Sequence, residues 1–576
     1  MRFLCLCICF LLVQISMGQV TVYEQSKNTA SATYEEAMAF YRALDEEFEE
    51  LSISTHGLTD IGIPLHVVLI NNGPEKTAKQ LQASGKVILL INNAIHPGET
   101  DGISASQMLT RNILRNKEQY EGVLRKAAIC IIPFYNIGGT LNRNATTRVN
   151  QNGPVEYGFR GNARHYDLNR DFIKADTRNS RSFQALFQAY DPDLLLDTHV
   201  SNGADYQHIM TLVNSQKDKV GGALGAFIDE VFMPYTYEGM RKRGFDAIPY
   251  VNSWGRTPDN GWPQFMDWPR YSTGYAALFH TIGYMSETHM LKTYKQRVES
   301  TYALMETMLK FIEEKGEDLR KLRSETKEKI SSQKQFEISW QVDTSRFTPL
   351  MFSGYEPTYV ESEISGLNRL KYDRSKPFTK EVKFREDYVA NKVITAPQYY
   401  IIPQQWRSVI GLLELNQVTM STLPSDTSIQ VEVYMIDDYE TVKSPYEGHY
   451  RHYDVKVSTK KEILSFRKGD FIVPVNQWRN RYIVETLEPE APDSFFAWNF
   501  FDAVLQQKEH FSPYVFEDYA LEILDENPMI REALEKAKQE DQSLAESAYR
   551  QLDFIYQRSE HREAEYLRYP IFRLVE

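Results

Sequence analysis

Short apolar runs that alternate with helical segments constrain the fold of this chain more than any other feature of its sequence. The runs are four to six residues long and almost uncharged, which is typical of buried strands. The strand candidates are Leu65–Ile70, Val87–Ile91, Ala127–Ile132, Leu194–Asp197, His208–Val213 and Ile282–Met285. The helix candidates are 30–52, 104–124, 178–190, 218–232 and 291–315. This alternation predicts an α/β layered domain, in which ligands collect at the carboxyl ends of the strands.

The composition changes near residue 316. The segment 313–334 is dense in charge and predicts a solvated helix end and a linker. Strand-like stretches follow, at Phe336–Trp340, Ile429–Tyr434 and His452–Val457. We therefore expect a first domain over 19–325, a β-rich second domain over 326–490 and a helical C-terminal section over 491–576. The last section includes a charged helix over 527–559.

The first 18 residues have the pattern of a secretory signal peptide. Arg2 precedes the uncharged apolar run Phe3–Val13, and Ser16, Met17 and Gly18 follow it. A membrane anchor is the alternative, but the run is too short to span about 30 Å of hydrocarbon. Lipidation would need a cysteine at the cleavage point, where Gln19 stands instead. We expect an exported protein, periplasmic or secreted, cleaved near Gly18 and without a transmembrane anchor in the mature chain.

Composition excludes several classes of protein. Hydrophobic residues make up 42% of the 576-residue chain, which excludes bulk disorder. The net charge of −13 gives no electrostatic attraction for nucleic acid or for anionic membranes. Three of the four cysteines lie in the predicted signal peptide. The fourth, Cys130, lies in a predicted buried strand, where a thiol is usually inert, so disulfides cannot stabilise the mature chain.

Two strand ends present side chains that could bind a metal ion. His96 and Glu99 emerge together after the run that ends at Ile91, and His199 follows the run Leu194–Asp197. Two histidines and one carboxylate are a typical protein complement for catalytic zinc. Asp197 could accept the second imidazole proton of His199, or could simply end its strand in solvent. Taken singly, each motif is more often a chance pair or a polar rim residue than a metal site.

With two further motifs, the sequence resembles the M14 zinc carboxypeptidases. Asn169-Arg170 lies between the two ligand motifs, and Glu287 follows them at the end of an apolar run. The order His-x-x-Glu, Asn-Arg, His and a late Glu is the order in that family, and the resemblance covers about residues 30–315. It implies a mixed β-sheet flanked by helices and one zinc ion. The β-rich and helical C-terminal parts lie outside the family's common core and are similar to a bacterial, multidomain branch.

The resemblance also implies a role for each matched residue. His96, Glu99 and His199 would hold zinc, and Glu287 would be the general base. Its apolar neighbours, including Met285, would raise its pKa by partial desolvation. Asn169 and Arg170 would bind the terminal carboxylate of a peptide, to which the planar fork of an arginine is suited. Alternatively, Arg170 could pair with Asp167 or Asp171, and Glu287 could be a surface carboxylate.

Two further roles remain open in the sequence. An arginine should stabilise the oxyanion, and Arg148, Arg160 and Arg164 are candidates, of which Arg148 is preferred because it follows a predicted strand end. A tyrosine should close over the substrate, and Tyr271 and Tyr275 are equal candidates. Four other histidines of this domain are expected to pack or to support the ligands: His165, His208, His280 and His289. Loops within 252–270 could reshape the cleft.

Together, these expectations predict an exported zinc metallopeptidase that removes C-terminal residues from peptides. One rival is an amidase that acts on cell-wall peptides or other non-standard amides. Another is a non-catalytic module that binds zinc or carbohydrate. The second domain could gate the cleft or dock the enzyme to a cell-wall or glycan surface.

Overall fold

The computed structural model describes residues 19–575, so the predicted signal peptide and its three cysteines lie outside the described residues. The strands are β1 Leu51–Leu58, β2 Pro64–Ile70, β3 Val87–Asn92, β4 Ala127–Ile132, β5 Leu194–Ser201, β6 Met210–Asn214, β7 Ile248–Pro249, β8 Trp262–Pro263, β9 Ile282–His289, β10 Gln335–Val342, β11 Thr348–Glu361, β12 Asn368–Arg385, β13 Tyr388–Thr395, β14 Tyr399–Ile402, β15 Ser421–Thr422, β16 Thr427–Thr441, β17 His452–Phe466, β18 Phe471–Pro474 and β19 Phe572–Leu574.

Helices connect and cover these strands. The longer α-helices are Tyr34–Glu47, Asp101–Arg115, Lys117–Lys126, Arg178–Tyr190, Met233–Lys242, Tyr294–Ser332, Arg407–Leu415, Asn480–Leu487, Pro513–Glu526, Pro528–Glu540 and Ala548–Tyr556. Short helices lie at Val22–Gln25, Ala78–Ala83, Ile137–Leu141, Lys217–Val220, Gly222–Phe227, Ser272–Ala277 and Gln542–Ala545. Among residues 19–575, no helix combines the length and the apolar character that a membrane crossing requires.

An eight-stranded mixed sheet forms the first half of the molecule. Its order is β1-β2-β4-β3-β5-β9-β6-β7, and the four central strands β4, β3, β5 and β9 run parallel. Every residue of β3, β4 and β5 is buried, as expected where helices cover both faces. The predicted fold class, a mixed sheet flanked by helices with additional β-rich and helical parts, is confirmed.

The alternation of side chains along β3 divides the core into two layers. Val87, Leu89 and Ile91 pack with the helices Asp101–Arg115 and Tyr294–Ser332. Ile88 and Leu90 point to the opposite face, where the helix Arg178–Tyr190 and the second half of the chain cover them. The second half includes a six-stranded sheet, β15-β18-β14-β19-β16-β17. Its core is therefore continuous with one face of the first sheet.

Several predicted elements differ from those of the structure. The helix Tyr294–Ser332 runs through the predicted linker and across the predicted domain boundary at residue 325, because its buried face continues to Ile330. The expected helix 218–232 is interrupted at Gly221 and Gly222, whose φ angles of 69° and 57° do not fit a right-handed helix. The expected helix 527–559 is divided into three helices, and the side chains of Asp541 and Ser547 cap the second and third of them. Strands β1, β7, β8 and β19 were not predicted, and β11–β15 and β18 were expected only as part of a β-rich segment.

Candidate metal and peptide-binding site

Three adjacent parallel strands deliver the candidate residues to one edge of the sheet. His96 and Glu99 lie in the turn after β3, and His199 lies near the end of β5. Glu287 is on β9, directly paired with His199 in the strand register. Parallel strands end on the same side of a sheet, so the four side chains meet in one cleft of about 340 Å³.

His96, Glu99 and His199 bring three potential ligand atoms together. Nδ1 of His96 is 3.1 Å from Nδ1 of His199, and each of these nitrogens is 3.2 Å from Oε2 of Glu99. All three side chains are buried. Ligands bound to zinc at about 2.0–2.1 Å in tetrahedral geometry lie roughly 3.3 Å from one another. The size of this triangle and its donor types therefore fit a zinc ion with one further position open to the cleft.

Carboxylates stand behind both imidazole rings. Nε2 of His96 is hydrogen-bonded to Oδ1 of Asp167 at 2.9 Å. Nε2 of His199 lies 3.0 Å from Oδ2 of the fully buried Asp197, although the N–H direction is not aligned for a hydrogen bond. Asp197 therefore does not end its strand in solvent. Such carboxylates orient metal-binding imidazoles and leave the inner nitrogen free to face the ion.

The charge of Glu99 is stabilised in spite of its burial. Burial alone would raise its pKa, but His96 and Arg148 outweigh that effect and hold the pKa well below the ordinary value. Nη1 of Arg148 donates to Oε1 at 2.8 Å, and the amide of Val200 donates to Oε2 at 2.9 Å. Gly98 makes this pairing possible, because a methyl group there would overlap Cδ of Arg148.

Glu287 is half-buried and faces the same cleft. Burial raises its pKa to about 7; Glu99 adds to the increase, and the positive charges of His199, Arg160 and Arg148 oppose it. The predicted desolvation of this carboxylate is therefore present. A carboxyl group with a pKa near neutrality can accept and return a proton at physiological pH.

Arg170 and Asn169 lie across the cleft from the strand ends, on a short 3₁₀ turn. The guanidinium of Arg170 is 4.8 Å from the ring centre of Tyr271 and 3.8 Å from Oδ2 of Asp167. The contact with Asp167 is long, and Asp167 already accepts two shorter hydrogen bonds from Arg160, at 2.8 and 3.0 Å. Nη1 of Arg170 also donates to the backbone oxygen of Asn169 at 2.9 Å. The other N–H groups on the edge of the guanidinium can still be offered to a ligand in the cleft.

The structure separates the alternatives that the sequence left open. Arg148 and Arg160 line the cleft, whereas Arg164 turns away and donates to the backbone oxygen of Asp176. Tyr271 also lines the cleft. Tyr275 does not reach it: its side chain is fully buried, and its hydroxyl donates to Asn416 at 2.7 Å. The sequence could not distinguish the two tyrosines. The helix Ser272–Ala277 begins between them and directs the second into the core.

The four other histidines considered in the sequence stay apart from the three-residue cluster. His165 lies beside the ring of Phe159, His208 accepts the amide of Ser353, His280 is 3.0 Å from the backbone oxygen of Trp478, and His289 lies against Tyr206. Within residues 19–575, the grouping of His96, Glu99 and His199 is the one that meets the distance requirement for a shared metal ion.

Several residues of the site were not predicted from the sequence. Asp167 was considered only as a partner of Arg170, although it lies in the same Asp-x-Asn-Arg stretch. The uncharged wall of the cleft was predicted only in part: Tyr271 and Met285 were expected at the site, whereas Val213, Tyr250 and Phe265 were not. Met285 could be found from sequence because it lies two residues before Glu287 and shares its strand face. Val213 reaches the wall only because β6 pairs with β9.

Known proteins resemble this chain in sequence and in structure. No protein-family model matches it. Two fungal proteins named Carboxypeptidase 2, from Trichophyton equinum and Trichophyton tonsurans, are each 20% identical to it, over 437 and 436 residues. Each alignment covers 73% of this chain and 75% of the relative.

Solved structures that resemble it include metallo-carboxypeptidases from Burkholderia cenocepacia (TM-score 0.38, 13% identity, 49% of this chain and 70% of that one) and Pseudomonas aeruginosa (TM-score 0.38, 14% identity, 49% and 70%). Carboxypeptidase A from Helicoverpa armigera overlaps with a TM-score of 0.37 at 13% identity, covering 49% of this chain and 74% of that one. In sequence, then, the chain is similar to carboxypeptidases over about three quarters of its length.

Proposed function

We propose that this protein is a zinc-dependent carboxypeptidase that hydrolyses C-terminal peptide bonds. The observation that carries the proposal is the triangle of His96 Nδ1, Glu99 Oε2 and His199 Nδ1 in one cleft with Glu287 and Arg170. The sequence similarity to fungal carboxypeptidases supports the same activity. The presence of a base beside the ligands favours a hydrolase over a non-catalytic binding module.

In this proposal His96, Glu99 and His199 hold one zinc ion. Bound there, zinc would lower the pKa of a water ligand and polarise the scissile carbonyl. Glu287 takes a proton from the attacking water and later delivers it to the leaving amine. Arg148 lies beside Glu99 and supplies positive charge where the carbonyl oxygen becomes negative.

The other side of the cleft selects the end of a chain. Arg170 and Asn169 bind the terminal carboxylate through a planar fork and an amide. Tyr271 stacks against Arg170 and holds its guanidinium in place. The uncharged wall that includes Val213 and Met285 accepts the terminal side chain. A peptide without a free carboxylate lacks the two parallel hydrogen bonds to Arg170 and should bind more weakly.

We also propose how the chain is divided between catalysis and export. The catalytic part lies within 19–325 and is continued by the helix Tyr294–Ser332, and residues 1–18 direct export to the periplasm or the medium. The β-rich and helical parts complete the molecule around one face of the first sheet.

A peptide library in matched free-acid and C-terminally amidated forms tests the activity. Mass spectrometry should show the loss of single C-terminal residues from the free acids, abolished by a chelator and restored by zinc. The matched control is His199→Ala, which removes a ligand and should be inactive with zinc added. Internal cleavage, or equal hydrolysis of the amidated forms, would refute the proposal. Turnover of cell-wall peptides alone would favour the amidase alternative.

A further inference from the structure

The loop between β16 and β17 reaches from the six-stranded sheet to the segment that carries Asp167 and Arg170. Its turn is closed by reciprocal backbone hydrogen bonds between Tyr446 and His449, of 2.8 and 3.1 Å. Glu447 and Gly448 have φ angles of 50° and 82°, as a tight turn of this kind requires. A side chain on Gly448 would place its Cβ 2.7 Å from the hydroxyl of Tyr166. The turn is thus shaped to lie directly on the first domain.

Glu447 contacts the support of a candidate zinc ligand. Its Oε2 accepts a hydrogen bond from the backbone amide of Asp167 at 2.8 Å, and Oδ1 of Asp167 bonds to Nε2 of His96 at 2.9 Å. Nε2 of His449, from the same turn, is 2.8 Å from Oδ2 of Asp176. The turn is therefore anchored on both sides of the segment that holds Asn169 and Arg170.

Tyr446 extends the aromatic surroundings of the carboxylate-binding arginine. Its ring stacks on Trp498 at 6.0 Å and 21°, and the guanidinium of Arg270 lies 5.9 Å from it. Arg270 is held by Asp493 at 2.9 Å and lies 6.0 Å from Tyr271, against which Arg170 stacks. Tyr271 is therefore shared by Arg170 and Arg270, and Arg270 connects it to Tyr446.

We propose that the turn Tyr446–His449 is a working part of the site, resting on the function proposed above. Glu447 is a positioning residue that fixes Asp167 and, through it, the imidazole of His96. Tyr446 acts through Arg270 and Tyr271, and so positions Arg170 for the terminal carboxylate. Through this turn, the six-stranded sheet completes the catalytic site.

The test compares full-length variants of the turn. Glu447→Ala removes the acceptor, Glu447→Gln retains an oxygen that can accept the Asp167 amide, and Glu440→Ala is the control at an exposed position before the same loop. Zinc affinity is measured by competition with a chromogenic chelator. Loss of an outer-sphere partner typically weakens metal binding by 10–100-fold, and we expect roughly tenfold for Glu447→Ala, with Glu447→Gln and Glu440→Ala near wild type.

The second pair of variants addresses Arg170. Tyr446→Ala should raise KM for a free-acid peptide by about tenfold while kcat stays within about twofold, because only binding of the carboxylate is disturbed. Tyr446→Phe retains the ring and should restore the wild-type KM. A general structural defect would lower kcat as well as raise KM, and Tyr446→Phe would not restore either value.

The outcomes separate the two proposals. If the wild type hydrolyses peptides and Glu447→Ala matches Glu440→Ala in zinc affinity, the role of the turn is refuted and the function stands. If the wild type binds zinc but does not hydrolyse peptides, the function is refuted, and the zinc affinities of the Glu447 variants still decide the positioning role. A wild type that does not bind zinc overturns both.

Discussion

Glu287→Gln should lower the activity and raise the stability of the fold, because the carboxylate that the reaction needs is buried at a cost in free energy. Glu287 is half-buried at the end of a strand, and burial raises its pKa from 4.5 to about 7. The glutamine side chain has nearly the same shape and carries no charge. The substitution should therefore abolish proton transfer and at the same time remove the cost of burying a charge.

The magnitude follows from the raised pKa. A tenfold change in proton affinity corresponds to about 1.4 kcal/mol, so ionised Glu287 destabilises the metal-free fold by roughly 3 kcal/mol. An acid whose pKa is raised on folding loses stability as the pH rises from the unfolded value of 4.5 through about 7. The full cost is present at pH 8, and less than about 1 kcal/mol of it remains at pH 5.

The assay is urea unfolding of the metal-free protein at pH 8 and pH 5, with chelator present. Glu287→Gln should be more stable than the wild type by up to about 3 kcal/mol at pH 8, and by less than about 1 kcal/mol at pH 5. Glu363→Gln is the control, since this glutamate is exposed and lies far along the chain in the β11–β12 hairpin. With zinc bound, kcat/KM of Glu287→Gln should fall by about 10²–10⁴-fold.

Two results would refute this reasoning. A stability gain that is equal at pH 8 and pH 5 would mean that the raised pKa is not its source. Hydrolysis by Glu287→Gln at the wild-type rate would mean that another group accepts the proton.

Three further predictions concern the cleft and the core. Arg170→Lys replaces the planar fork by a point charge and should raise KM for free-acid peptides by about 10-fold or more, with little change for amidated ones; equal effects on both would exclude carboxylate binding. The uncharged wall should favour apolar or aromatic terminal residues over Lys or Asp by roughly 100-fold in kcat/KM, since a charge there would have no partner; a preference for a charged residue would contradict this. Burial lowers the pKa of His280 from 6.5 to about 3, so the neutral ring is favoured in the fold and stability falls below pH 6.5. Acidification from pH 8 to pH 5 should cost about 2 kcal/mol through this residue, and His280→Gln should remove that part of the pH dependence in urea melts.

The site was accessible from sequence to the extent that its residues follow strand ends. Apolar runs predicted β3, β5 and β9, and parallel strands bring their carboxyl ends together, so His96, His199 and Glu287 could be expected in one place. Tyr271 and Tyr275 could not be distinguished, because the turn of a short helix determines which ring faces the cleft. Asp167 could not be assigned to His96, since 71 residues separate them and only the fold closes that distance.

Local chemistry in the sequence determined the α/β character, the identity of the ligand-type side chains and their order along the chain, because hydrophobic periodicity and residue type act over a few neighbouring positions. The tertiary structure alone decided the strand order, the uncharged wall where β6 meets β9, and the approach of Glu447 to Asp167 across 280 residues. These features depend on how whole layers pack against each other, and many segments of similar polarity could have filled the same places.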